Sequence, residues 1–272
     1  MKGPARFITH SLKRIRTLVI ALAVLLGAFQ ILLIVMAREF HQSKGLAGLA
    51  DLLPPFVREF FGPSLSAFIS FNGMISQVYF HPIVLASLVA LAIAIGTMPT
   101  AEIESGFVDL ILSRPIARHW MITRSIIVAA ICITAVLITM MAATWAGLQA
   151  FGPRDVPWPP AARILSLAFN LGLLMFAWSA VAMAIGSAAR RRGAAGTFAG
   201  LLALATFLLD FAARIWAPAK SIAWLSPFHY YSPLEMITGL PVEPVNLLVL
   251  TGIAAIGFTL AYVLFVRRDL SK

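Results

Sequence analysis

The sequence predicts an all-α integral membrane protein with six transmembrane helices, and three observations predict it. Apolar residues make up 60% of the 272 positions and charged residues only 12%, against about 45–50% and about 25% in soluble domains. Mean hydropathy is +0.91. Six apolar runs, each as long as the roughly 20 helical residues that cross a hydrocarbon core about 30 Å thick, together occupy about half the chain. The remainder is divided among termini and loops too short to bury the core of a separate soluble domain. Residues 1–272 therefore read as one membrane domain.

The runs follow in order. Leu18–Ala37 has Gln30 as its only strongly polar member, and Ile75–Gly96 carries Pro82 in its outer part. Ser125–Leu148 is third. Ile164–Ala189 is fourth, ending at Arg190, Arg191 and Arg192; Ala194–Ile215 is fifth, and Val245–Val266 stops at Arg267 and Arg268. Ahead of the first run, Ile8, Leu12, Ile15 and Val19 recur at helical spacing beside Lys13, Arg14 and Arg16, a pattern that fits an amphipathic helix lying on the inner leaflet. A cleavable signal peptide is the rival reading of this end, with Val35-Met-Ala37 as its cleavage site. The length of the first run exceeds the 7–15 residues usual for such a segment, so an uncleaved first span is expected.

Charge gives the orientation. Of the 21 Lys and Arg residues, 14 fall on the side of the N-terminus, including Arg114, Arg118, Arg124 and the triple arginine, and that side carries all of the net charge of +10. The positive-inside rule then puts both termini in the cytoplasm, in an inner (cytoplasmic) membrane. A net charge of +10 would suggest nucleic acid as a partner of a soluble chain; here topology explains it, and membrane lipids are the expected surroundings. The single cysteine, Cys132, has no partner for an internal disulfide.

Two outer segments interrupt their apolar runs with prolines. Arg38 to Met74 contains Pro54, Pro55 and Pro63, and its short apolar runs read as interfacial helices. Trp216–Pro241 contains Pro218, Pro227, Pro233 and Pro241 among aromatic rings suited to the interface, and reads as a re-entrant or rim structure before span six.

The segment between spans two and three is more informative. Ile103, Phe107, Leu110 and Ile111 share one helical face. Thr100 is placed to cap the start, Glu102 and Glu104 complement the positive helix end, and Arg114 sits at the negative end before Pro115. A short amphipathic helix is expected there. With Asp109, the two glutamates form the main acidic patch on an otherwise basic side, one that an anionic leaflet would repel. Two readings stand open on these residues: an interfacial turn covering lipid, and a docking surface for a cytoplasmic protein.

Site chemistry is otherwise sparse. The sequence has no P-loop, no H-E-x-x-H and no paired cysteines, and its five histidines lack ligand spacing. No metal site, no resident cofactor and no catalysis by this chain are expected. Asp210 and Arg214 lie one helical turn apart toward the outer end of span five, where an ion pair is the expected reading. Gly196 and Gly200 have a spacing that permits close helix packing.

A family resemblance enters with these motifs. His81-Pro82, then Ala101-Glu102-Ile103-Glu104-Ser105-Gly106, then Leu110-Ile111-Leu112-Ser113-Arg114-Pro115-Ile116-Ala117-Arg118 resembles the inner-loop signature of ABC type-2 transporter permeases. Leu225-Ser226-Pro227-Phe228-His229-Tyr230 resembles the element these permeases carry before their last span. Phe107 departs from the pattern, where family members often have Thr. The resemblance runs in order over nearly the whole chain.

It implies the permease subunit of an ATP-driven exporter, paired with a second copy or homologue and with separate ABC ATPase subunits that hold ATP and Mg. Around Glu102–Arg114 it implies a coupling helix in an ATPase groove, with Glu102 and Glu104 as polar contacts and Ile103, Phe107 and Leu110 as the buried side. Gly106, Asp109, Arg114, Pro115 and Arg118 complete that segment. ATP-driven closure would then re-aim spans one, two and five around a path between two permeases. The alternative is a membrane scaffold or accessory subunit whose acidic loop recruits a cytoplasmic partner.

Overall fold

The computed structural model describes residues 3–42, 54, 70–105, 119–238 and 242–267, and among them every regular element is helical. In chain order these are α1 (Gly3–Gln42), α2 (Phe71–Ser76), a 3-10 turn at Gln77–Phe80, α3 (Pro82–Gly96), α4 (Met98–Glu104), α5 (His119–Phe151) and α6 (Ala161–Ala188). Then come α7 (Arg192–Ile215), α8 (Ala217–Lys220), 3-10 turns at Ala223–Leu225 and Pro227–Tyr230, α9 (Pro233–Thr238) and α10 (Pro244–Arg267). Among the described residues, six segments are long and apolar enough to cross a membrane: Phe7–Gln42, Phe71–Gly96, α5, α6, α7 and α10. Each overlaps one of the six runs read from the sequence and most extend beyond it, because intrahelical hydrogen bonding continues into the polar flanks.

Two differences from expectation have physical causes. The amphipathic N-terminal stretch is not a separate helix: it continues without a break into the first span, giving 40 residues, about 60 Å of helix. Its apolar side meets protein, with Ser11 and Ile15 buried and Phe7, Ile8, Leu12 and Val19 packed on the core.

The second span is discontinuous. Pro82 has no N–H to donate and disfavours helical geometry at the residue before it. His81 accordingly adopts φ −61° and ψ 132°, and its ring nitrogen Nδ1 accepts the Ile83 N–H to restart the helix. Backbone groups freed by such a break need partners inside the protein. Gln30 Nε2 reaches the Ile75 carbonyl at 3.4 Å, and the Tyr231 hydroxyl donates to the Tyr79 carbonyl at 3.0 Å. The Tyr79 and Thr144 hydroxyls share a further bond at 3.0 Å.

The fourth span, α6, is the centre of the bundle, in contact with α3, α5, α7 and α10. Small residues let its neighbours approach. A Cβ on Gly96 would stand 2.7 Å from the Ala182 methyl, and one on Gly257 would stand 2.9 Å from the backbone and methyl of Ala180. Gly27 beside Ala143 and Gly147 beside Ile34 show that α1 and α5 run parallel. The near end of the bundle, where α1 begins, also holds the start of α5 and the end of α10, joined by Thr123 and Tyr262 hydroxyls 2.7 Å apart. At the far end His41, on the last turn of α1, meets Asp155 after α5 at 3.2 Å. That bond holds the Asp155 carboxyl below its usual range.

Most of the Arg38–Met74 segment, residues 43–53 and 55–69, lies outside the described residues, so the interfacial helices expected there do too. The proline-rich segment before α10 forms short helices with Pro218, Pro227 and Pro233 in their first turns, where the missing N–H costs nothing. Phe228 packs against Trp178 and Phe207 with ring centroids 5.6 Å and 5.5 Å away.

These contacts predict opposite outcomes for two glycines of the same helix. Gly257→Val should destabilise the bundle by about 1–3 kcal/mol through overpacking. Gly252→Ala, where an added methyl meets nothing within 4 Å, should be neutral or stabilising by up to about 1 kcal/mol. Thermal unfolding of the purified protein in one detergent compares them.

Candidate functional site at the near end

The second span ends at Thr97, which is both the C-cap of α3 and the N-cap of α4, and whose hydroxyl turns back to the Ile93 carbonyl. Pro99 lies in the first turn of α4, where it is tolerated. The helix therefore starts earlier than the sequence reading placed it, and Thr100 does not cap it. Instead the Thr100 hydroxyl donates to the Gly186 carbonyl at the end of α6, at 2.8 Å.

The two glutamates part company because residues two apart on a helix point about 200° from one another. Glu102 turns into the bundle and is 2% exposed; Arg124 on the first turns of α5, equally buried, places Nη2 at 2.5 Å from Glu102 Oε2. Glu104 faces outward, and its Oε2 accepts the Arg192 N–H at 2.9 Å, capping the start of α7. Ile103 between them is half-buried and packs on the core. One seven-residue helix is thus fastened to three spans through three polar contacts: a hydroxyl to α6, a buried ion pair to α5 and a helix cap to α7.

Both glutamates were read from the sequence as contacts for a cytoplasmic partner. The structure gives each an intramolecular partner. Gly106, Phe107, Asp109, Leu110, Arg114, Pro115 and Arg118 lie outside the described residues. Sequence reading took Arg124 and Arg192 only as charges on the side of the N-terminus and did not single out Gly186. An arginine at the head of a long apolar run was the available signal for Arg124, but its partner 22 residues earlier becomes visible only on folding.

At the far end Asp210 and Arg214 meet as expected for their spacing, with Nε and Nη2 both donating to Oδ2 at 3.1 Å and 2.9 Å. The structure adds His229, whose Nδ1 stands 3.8 Å from the other carboxylate oxygen. Ser226 donates to the Thr206 carbonyl on α7 at 2.8 Å, so the Pro227–Tyr230 turn is held against span five by side chains as well as by rings. Burial raises the Tyr231 phenol above its ordinary range, and neighbouring Tyr79 adds to the shift.

Among the described residues Gly196 and Gly200 do not bring two helices together. A Cβ on Gly196 would find Ile93 at 4.0 Å, and one on Gly200 would find open space; the close approaches belong to Gly96, Gly147, Gly186 and Gly257. Among the described residues no group of three His, Cys, Asp or Glu side chains is arranged to hold a metal ion. A groove of about 350 Å³ between α5 and α6 is lined by Ile133, Leu137, Met141, Phe169 and Phe176 and offers a polar ligand little.

The described residues, all helical where regular and with six segments long and apolar enough to cross a membrane, define a multi-pass membrane protein with a buried ion pair at the near end of its bundle. Compared with known proteins, the chain matches no protein-family model and no curated protein.

The two glutamates should differ sharply in stability experiments. Glu102→Gln leaves Arg124 buried without its counter-charge and should cost about 3–5 kcal/mol. Glu104→Gln, at an exposed cap, should cost about 1 kcal/mol or less. Thermal unfolding of the two variants in the same detergent measures the difference.

Proposed function

We propose that this chain is the permease subunit of an ATP-driven exporter of the ABC type-2 kind, working beside a second permease and driven by separate ATPase subunits. The reading is supported by the two motif resemblances at Ala101–Arg118 and Leu225–Tyr230. The observation that carries it is the fastening of α4: the segment bearing the first motif begins on a helix tied to spans three, four and five. A push delivered to that segment has polar links to three spans through which to act.

In this reading the near end faces the cytoplasm, as its excess of Lys and Arg favours. The ATPases hold ATP and Mg, and closure of their pair displaces the residues after Glu104. This chain binds no nucleotide and does no bond chemistry; its part is to dock, to carry displacement and to wall the path. Span walls of this composition suit lipids or hydrophobic molecules as cargo.

The test is assembly with a P-loop ATPase encoded by an adjacent reading frame, followed by ATP turnover in lipid. The wild-type chain should co-purify with that ATPase and change its turnover. Asp109→Arg, which reverses a charge in the acidic segment, should weaken the complex about tenfold, or ~1.4 kcal/mol. Full competence of the chain in lipid with no ATPase present, or unchanged binding in the variant, would count against the reading.

A further inference from the structure

We infer that the seam between α5 and α6 is a binding site for one phospholipid, with an acyl chain in the apolar groove and the phosphate in a second cavity at the far end of the bundle. The groove exists because the facing sides of the two helices carry small residues. Ala130, Ala168 and Gly172 leave a hollow of about 350 Å³, at the low end of the roughly 300–1,000 Å³ of small-molecule sites. It opens away from the bundle: Ile138, Leu165 and Phe169, which line it, are each more than half exposed. On a six-span bundle such a surface faces hydrocarbon. A span from a second copy, about 10–12 Å across with its side chains, is too wide for a hollow of this size, whereas a single acyl chain fits it.

The second cavity supplies the polar half of the site. It measures about 550 Å³ and lies where α5 ends, lined by Gln149, Gly152, Arg154, Val156 and Trp158. Gln149 stands 11 residues past Ile138, three turns on and within about 20° of the same direction. The cavity therefore continues the side of α5 that bears the groove. From Gln149 back to Thr134, which also lines the groove, is 15 residues, about 22 Å of helix. That is close to half of the roughly 40–45 Å that a bilayer measures with its headgroups, so a lipid of one leaflet reaches both.

Charge favours a phosphate at the far end. Trp158 Nε1 donates to the Pro153 carbonyl at 2.9 Å, closing the turn that carries Arg154, and its ring suits the headgroup level. The neighbouring Asp155 carboxylate is engaged by His41, and among the described residues Arg154 has no ion pair. A guanidinium without a counter-ion, at the mouth of an apolar groove, matches a phosphate that it can hold through charge-assisted hydrogen bonds. The lipid so held is a fixed companion that fills the seam between spans three and four, distinct from any cargo.

The experiment uses the full chain, purified in detergent and stripped of lipid, then titrated with phosphatidylglycerol or phosphatidylcholine in mixed micelles while native mass spectrometry counts bound lipid. The wild type should take up one high-affinity lipid per chain. Phosphatidylglycerol should bind at least about threefold tighter than phosphatidylcholine, whose own cation opposes Arg154. Arg154→Gln should erase that preference. Ile138→Trp and Leu165→Trp, at exposed positions on the two margins where a larger ring fills the groove, should each weaken both lipids at least about tenfold while melting like the wild type in lipid-free detergent.

Wild-type affinity in both tryptophan variants would overturn the groove as the acyl site, and equal affinity of the wild type for the two lipids would overturn the phosphate cavity. Inorganic phosphate should not displace the lipid; full displacement would make the cavity a site for free anions and overturn the proposal. A lipid-free wild-type dimer that Ile138→Trp converts to monomer would assign the seam to a second copy instead. No arm of the experiment includes an ATPase, so its outcome is independent of the permease reading.

Discussion

Two full charges withdrawn from water set the terms for the near end of the bundle. Glu102 and Arg124 are each buried as thoroughly as the leucines around them, and neither is tolerable there without the other. Their pairing fixes the rotation of α4, since a turn that brought Glu104 inside would take Glu102 away from Arg124. With Glu102 inward, Glu104 points outward to the start of α7 and Thr100 lies against the end of α6. The distances from this one helix to three spans thus follow from a single orientation.

The same requirement operates at the break in span two. Pro82 interrupts the hydrogen-bond ladder of span two, the freed Tyr79 carbonyl is taken up by Tyr231 from another element, and Gln30 reaches the Ile75 carbonyl just before the 3-10 turn. Tyr231 belongs to the short proline-led helices before span six. Those helices are pinned in turn by the Ser226 hydroxyl, which donates to the Thr206 carbonyl of α7, and by the ring cluster of Trp178, Phe207 and Phe228. The far end is thus a connected structure in which spans two, four and five share polar or aromatic contacts with one proline-rich segment, and spans one and three join it through the break in span two.

Between the two ends the bundle is held by close packing rather than polarity. Span four supplies Ala180 and Ala182, and its neighbours supply Gly257 and Gly96, so backbones approach closely where dispersion is the main attraction available. Gly196 and Gly200 show the limit of a motif read alone. Their spacing permits close approach, yet among the described residues a methyl on Gly196 would meet only Ile93 at 4.0 Å and one on Gly200 nothing within 4 Å.

The number, order and approximate limits of the six spans were legible in the sequence, because a bilayer demands a fixed length of apolar helix and punishes charge within it. The Asp210–Arg214 contact was legible too, being set by one turn of helix. The continuity of α1, the break before Pro82 and the true start of α4 were not, since helix geometry at those points depends on partners elsewhere in the chain. Nor could the sequence divide the labour of Glu102 and Glu104. Two carboxylates two residues apart look equivalent until folding turns one toward Arg124 and leaves the other at a helix start. Hydrophobic length is a local property, and the sequence determined it; which polar group satisfies which is a matter of distances across the bundle, and only the tertiary structure decided it.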